Sequence, residues 1–518
     1  MPLLRRLPVA AVSAMMLATN LVTTGMAATA QPLDERPACS DSRPELRYLV
    51  LFDDGTTRPA ASAEVDAACG RLTGYYPQIA VAVATSADPR FDERLGTDRA
   101  FSAQRVVESQ QGPDQHDDGA ESTKSLVTAK PEAVSTVDRT GEQWDMTLIG
   151  ADRARRIDQG SRDVVVGVLD SGVDPNHPDL RNALAPSLSA GCLSGVADTS
   201  RAAWVPTVSP HGTHVAGTIA AADDGRGTAG VAPGVRVASV KVVDDEGFIF
   251  PEYAVCGLMW ASANKMAVTN NSYFVDPWLM TCNRDSEHVV FEAVRRAVDH
   301  ATREGVLTVA AATNEGVDLA DPEGRTDESR TLDASCKVLP AGLRGVVAVS
   351  AVGEDELKSG YSSYGLGVID VAAPGGEPKD VVPSDSETAT EREDGCVLST
   401  VPDGYDRLCG TSMAAPHVSG VAALLAGEHP EASPKALTRM LTEQADEVAC
   451  PADYDLDGTG AQDAYCEGYE QYNGFYGHGV VDAEAALTSD AGVSPEPEVS
   501  GSGDQDSGAG AGSDRGER

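Results

Sequence analysis

Val164-Val-Val-Gly-Val-Leu-Asp-Ser-Gly-Val-Asp174 is the stretch on which the fold of this chain turns. Its first six residues are a continuous apolar run rich in β-branched side chains. A strand with no polar face belongs inside a parallel sheet covered on both sides. The run stops at Asp170, Ser171 and Gly172, so a carboxylate stands where the strand gives out. Comparable runs recur at 235–243, 305–312 and 345–352, with helix-like segments at 214–222, 253–263 and 289–304 between them. Strands alternating with helices predict an α/β fold built on a doubly wound, mostly parallel sheet. Ligands of such a sheet bind at the carboxyl ends of its strands.

Outside this region the composition sets limits. The 518 residues include 80 acidic and 40 basic ones, a formal net charge of −40. Nucleic acid is therefore not an expected partner, because phosphate contacts need clustered Lys and Arg. Arg5 and Arg6 precede a mostly apolar stretch at 7–26, and Ala28-Thr-Ala30 fits a small-x-small cleavage pattern. Residues 1–30 read as a secretory signal peptide, and the protein is expected to be extracellular with no membrane partner. Export places the ten cysteines in an oxidising compartment, where an even count points to disulfides. Cys39 with Cys69, Cys396 with Cys409 and Cys450 with Cys466 are the expected pairs. No Cys-x-x-Cys pair supports a zinc or redox reading.

The strand-like Arg47-Tyr-Leu-Val-Leu-Phe52 ends at the turn Asp53-Asp-Gly55, and 79–83 suggests a second strand. Residues 31–107 are expected to hold a small α+β module. Residues 108–142 shift to Gln, Asp, Gly, Ser and Thr and read as a linker or processing region. The α/β domain follows over 143–488, and 489–518 reads as a disordered acidic tail with almost nothing to bury.

Three segments carry chemistry. Asp170 begins the first. His211-Gly-Thr-His-Val-Ala-Gly217 and Gly410-Thr-Ser-Met-Ala-Ala-Pro-His-Val-Ser-Gly420 each open a helix. They supply a carboxylate, an imidazole and a hydroxyl. A serine hydroxyl is a poor nucleophile until an imidazole takes its proton, and a buried carboxylate fixes the tautomer and stabilises the imidazolium. Taken singly, each has a plain alternative: a turn-forming Asp, packed core histidines, a helix-capping Ser. The His-Glu-x-x-His pattern of common zinc proteases is absent.

Taken together, in the order Asp, His, Ser, the segments resemble the subtilisin-like serine peptidases (subtilases). The resemblance covers about residues 144–487. It implies a secreted endopeptidase acting on protein or peptide substrates, monomeric, and needing no cofactor for its chemistry. Carried over by position, Asp170 orients, His211 is the general base and then acid, and Ser412 is the nucleophile. His214 and His417 match structural positions. Val309-Ala-Ala-Ala-Thr-Asn-Glu-Gly316 resembles the family's oxyanion segment, which makes Asn314 the side-chain donor beside the Ser412 N–H. Thr313 stands where the family usually has Gly. Asn271-Ser-Tyr-Phe-Val275 lies where substrate adds as a strand, so Ser272, Tyr273 and Phe274 are the substrate-binding candidates. The bulk of Tyr273, Phe274 and Val275 is expected to reshape the pocket walls.

The resemblance also matches Asp179 and Asp224 to calcium-ligand positions, giving a structural calcium, although a solvated acidic turn fits both residues equally well. Asp453, Asp455 and Asp457, followed by Gly458, begin a second calcium-like loop whose closing position is Ala464. The 31–107 module resembles the family's inhibitory propeptide; an independent N-terminal domain is the other reading. Two further function classes stay open: a maturation protease of narrow specificity, and an inactive scaffold on a peptidase fold.

Overall fold

The computed structural model describes residues 39–489 except 41–42, 111–125, 128–131, 135, 324–325, 328–329, 379–394 and 457. The expected signal peptide, the tail from 490 onward, much of the expected linker and Asp457 lie outside the described residues. Among the described residues no helix is long and apolar enough to cross a membrane.

The apolar run that ends at Asp170 is the strand Val165–Asp170, buried at every residue. It lies inside a seven-stranded sheet ordered Val371–Pro374, Val346–Val352, Leu307–Ala311, Val268–Asn271, Val165–Asp170, Arg236–Lys241, Ala190–Gly191. Every neighbouring pair is parallel. Alternation along the strand divides two cores: Val166 and Val168 enter one, Val165 and Leu169 the other. The helices His211–Ala220 and Thr411–Glu428 pack against each other in the first core, and Pro251–Ala263 and Glu287–Arg303 in the second. From Val165–Asp170 the chain first builds one side of the sheet and then crosses to Val268–Asn271 to build the other. That reversal opens a crevice at the carboxyl ends of these two strands.

An antiparallel hairpin, Val397–Val401 with Gly404–Cys409, delivers the chain to Gly410 and is closed at its base by the Cys396–Cys409 disulfide. Part of the expected linker adds to this hairpin: Leu126–Val127 pairs with Leu408 and Cys409, and Glu132–Ala133 with Gly404 and Tyr405. Backbone bonds to an open strand edge need no run of large apolar residues, which is why composition alone did not reveal them. Cys450–Cys466 forms as expected, Cys192–Cys256 and Cys282–Cys336 are further bonds, and no described cysteine is free.

The N-terminal module is a four-stranded antiparallel sheet, ordered Arg71–Tyr76, Val81–Ser86, Leu46–Leu51, Ala100–Phe101. The strand Leu46–Leu51 again sorts its side chains by period two. Tyr48 and Val50 enter the module's own core with Phe91, while Leu49 and Leu51 join the core built around Pro251–Ala263 and Glu287–Arg303. Polar contacts pin the same face. Arg296 donates to Phe52 O and Ile79 O, both at 3.1 Å. Arg47 donates to the Tyr253 hydroxyl at 2.9 Å and lies 3.5 Å from the buried Glu252 carboxylate.

Candidate active site

Asp170 is the last residue of its strand, and His211 is the first of its helix. The His211 Nδ1 lies 2.8 Å and 3.0 Å from the two Asp170 oxygens. Asp170 Oδ1 also accepts the Ser171 N–H at 2.7 Å, and the Ser171 hydroxyl accepts the Gly212 N–H at 3.0 Å. Gly212 is required by this closeness, since a Cβ there would lie 2.5 Å from Gly172 O. Asp170 and His211 are both buried, and among the described residues His211 Nε2 has no hydrogen-bond partner. With Asp170 accepting from Nδ1–H, the Nε2 lone pair is left to act as a base.

Ser412 is the second residue of the helix Thr411–Glu428, where the helix dipole and unpaired N–H groups favour negative charge. Its hydroxyl donates to Ser272 O at 3.3 Å. A second contact between the same residues follows from Pro416. An N–H at that position would bond Ser412 O, but proline has none. The Ser272 hydroxyl donates to Ser412 O instead, at 2.8 Å. Ser272 is thus tied to the nucleophile's residue in both directions. In free enzymes the nucleophile–base bond is commonly long and tightens on substrate.

Asn314 follows the strand Leu307–Ala311 by three residues. Its Oδ1 accepts the Thr411 N–H at 2.9 Å and the Thr411 hydroxyl at 2.8 Å, which leaves Nδ2 as the donating end. Gly410, at φ +155°, keeps that approach open: a Cβ there would lie 3.3 Å from Asn314 Nδ2. Tyr273 and Phe274 are buried, at 2% and 6% exposure. The Tyr273 hydroxyl donates to Asn271 Oδ1 at 2.9 Å, and Phe274 and Val275 join the second core, so this bulk is packed into the interior rather than reshaping an exposed pocket wall.

The metal candidates are arranged differently. Asp179 is buried and accepts the Tyr405 hydroxyl at 2.9 Å, while Asp224 is exposed. Burial raises the Asp179 carboxyl above its ordinary range. Asp455 accepts the Thr459 and Gly460 N–H groups of its own loop, and Asp453 accepts the Gln462 amide. These oxygens close turns by hydrogen bonding. Among the described residues no three His, Cys, Asp or Glu side chains gather to hold a metal ion. Among the described residues these carboxylates do not gather into one cluster, and no step is assigned to calcium.

The other two motif histidines are core groups. Burial pushes His214 down to about 3, and its Nε2 meets Val397 O at 3.0 Å. His417 meets Met413 O at 2.8 Å and Asp145 Oδ2 at 3.0 Å. Asp145 carries no sequence signal of its own; a carboxylate inside the apolar-flanked helix Trp144–Leu148 is the one hint.

Comparison with known proteins agrees with this geometry. The protein is 30% identical over 380 residues to fervidolysin of Fervidobacterium pennivorans, an alignment spanning 69% of this chain and 46% of the relative. It is 29% identical over 344 residues to Subtilisin DY of Bacillus licheniformis, spanning 66% of this chain and 97% of the relative. Its match thus spans less than half of fervidolysin's length and nearly all of Subtilisin DY's. Its fold is similar to the crystal structure of the epidermin leader peptide processing serine protease of Staphylococcus aureus. That similarity has a TM-score of 0.60 and 21% identity, and covers 86% of this chain and 98% of the other. The subtilase family profile matches residues 161–479, well over half of the 518. The chain belongs to the subtilase family.

Proposed function

We propose that this protein is a secreted serine endopeptidase that cleaves peptide bonds through an acyl-enzyme on Ser412. The observation that carries the proposal is His211, with Nδ1 held by both Asp170 oxygens and a buried, unpartnered Nε2. In this reading Nε2 takes the Ser412 proton as Oγ attacks the scissile carbonyl, and Asp170 stabilises the imidazolium that forms. The oxyanion is received by Asn314 Nδ2 and the Ser412 N–H. His211 then gives the proton to the leaving amine, and water repeats the sequence to free the enzyme. Ser272, joined to Ser412 through two hydrogen bonds, lies on the segment along which the substrate backbone adds.

Secretion is supported by the leader-like residues 1–30 and by the disulfides. The module over 31–107 is proposed to be the protein's own inhibitory propeptide, supported by its shared core with the helices Pro251–Ala263 and Glu287–Arg303. The mature enzyme is proposed to be a monomer. A narrower role, maturation of one precursor, gains no support from Tyr273, Phe274 and Val275, whose side chains are buried in the second core; equal cleavage of unrelated unfolded proteins would count against it.

The test is labelling of the secreted protein with a fluorophosphonate probe and mapping of the modified residue. Labelling at Ser412 that disappears in His211→Ala is the expected result. Absence of labelling even after the N-terminal module has been released would overturn the proposal.

A further inference from the structure

Thr313 occupies a backbone conformation that its side chain disfavours. Its φ is +84°, a region that glycine enters freely and β-branched residues rarely do. The structure contains what holds it there. The buried Thr313 hydroxyl donates to Ser363 Oγ at 2.9 Å, and Thr313 O accepts the Ser363 N–H at 3.1 Å. The same Ser363 Oγ accepts the Val317 N–H at 3.3 Å. One fully buried serine therefore bridges both ends of the turn 313–317, in which Asn314 stands. Two backbone bonds complete the seam, Gly316 N–H to Tyr361 O at 2.7 Å and Tyr364 N–H to Val317 O at 3.0 Å.

The segment carrying Ser363 is braced in turn. Lys358, 1% exposed, donates to Ser359 O at 2.9 Å and Ser362 O at 2.7 Å. Its Nζ sits 5.0–5.3 Å from the ring centres of Tyr364, Tyr454 and Phe475. An amine enclosed by three rings and tied to two carbonyls fixes the backbone immediately before Ser363.

We propose that Thr313 and Ser363 form a positioning clasp, braced by Lys358, that sets the Asn314 side chain for its place at the oxyanion. The proposal rests on the reading of Asn314 as an oxyanion donor. In this proposal both clasp residues act through Asn314. A donor displaced by about 1 Å loses up to about 100-fold in rate, so a small rotation of this turn is felt in turnover.

The test uses the full chain, with active sites counted by fluorophosphonate titration and turnover read on a chromogenic peptide. Ser363→Ala is expected to lower kcat about tenfold with KM within about twofold, the signature of a group acting only in the transition state. Thr313→Gly combined with Ser363→Ala is expected to recover most of that loss, because glycine holds positive φ without a clasp. In an Asn314→Ala background, Ser363→Ala is expected to change kcat very little. Should Ser363→Ala fail to accumulate, Thr313→Val deletes the same hydrogen bond from the other side and gives the same comparison.

Asn314→Ala alone separates the two layers. A fall of about 10²–10³-fold upholds the oxyanion reading, and near-normal turnover sinks it. Given that fall, the clasp is overturned by an unchanged kcat in Ser363→Ala, by an equal loss in the Asn314→Ala background, or by no recovery with glycine.

Discussion

Two buried histidine–aspartate pairs lie among the described residues of the peptidase domain, and they are engaged in opposite ways. In the first, Asp170 takes the Nδ1 side of His211, and Nε2 has no partner. In the second, Asp145 takes the Nε2 side of His417, and Met413 O takes Nδ1. Both pairs are almost wholly removed from water. The difference is the count of engaged ring nitrogens. His211 keeps a lone pair to accept a proton. Both ring nitrogens of His417 are engaged, so its ring cross-links the helix Trp144–Leu148 to the helix that carries Ser412. Burial and a carboxylate partner do not by themselves leave a histidine able to act as a base; an unengaged ring nitrogen is needed as well.

Breaking each pair from its acidic side tests this contrast. Asp170→Asn is expected to keep the fold and lower turnover by about 10⁴-fold, because the amide no longer holds the required tautomer. Near-normal peptide turnover in that variant would refute the triad assignment. Asp145→Ala is expected to do the reverse. Removing one partner of a fully buried pair costs about 3–5 kcal/mol of stability, measured by denaturant unfolding, while the folded fraction still labels with fluorophosphonate. Loss of labelling at unchanged stability would overturn the structural role given to His417.

A smaller effect sharpens the comparison with a third buried ionisable group. Burial pushes the Lys358 amine down to about 7, against the pull of Glu377 and Asp463. The unfolded chain holds that proton to about pH 10.4, so between the two values the unfolded state binds more protons and stability rises with pH. From pH 7 to 9 this contributes an increase of about 2 kcal/mol. Lys358→Met is expected to flatten that part of the stability-against-pH curve. An unchanged slope in guanidinium melts at the two pH values would show that Lys358 does not supply it.

Much of this arrangement was legible beforehand because it is local. The buried strands at 165–170, 236–241, 307–311 and 346–352 announce themselves as short runs rich in Val and Ala, and Asp170, His211 and Ser412 stand at the ends of regular elements. The strand Val268–Asn271 was less visible, since Thr269, Asn270 and Asn271 read as polar. Their side chains are buried and hydrogen-bonded, Asn271 to Val309 O at 3.0 Å among others. Tyr273 and Phe274 were legible as a departure from the family pattern, but not the direction in which they point. The backbone turns them into the second core beside Trp278 and Met280.

The sequence by itself determined the layered α/β architecture, the family, and the three residue types at strand and helix ends, because hydrophobic period and helix-start chemistry act over a few neighbouring residues. Only the tertiary structure decided which histidine keeps a nitrogen for chemistry, that Ser272 answers the N–H missing from Pro416, and that Ser363 clasps Thr313 across 50 positions of chain. These are hydrogen-bond pairings between groups distant in sequence. Burial forces most polar atoms to find a partner, but the choice of partner is made by the packing that brings the segments together.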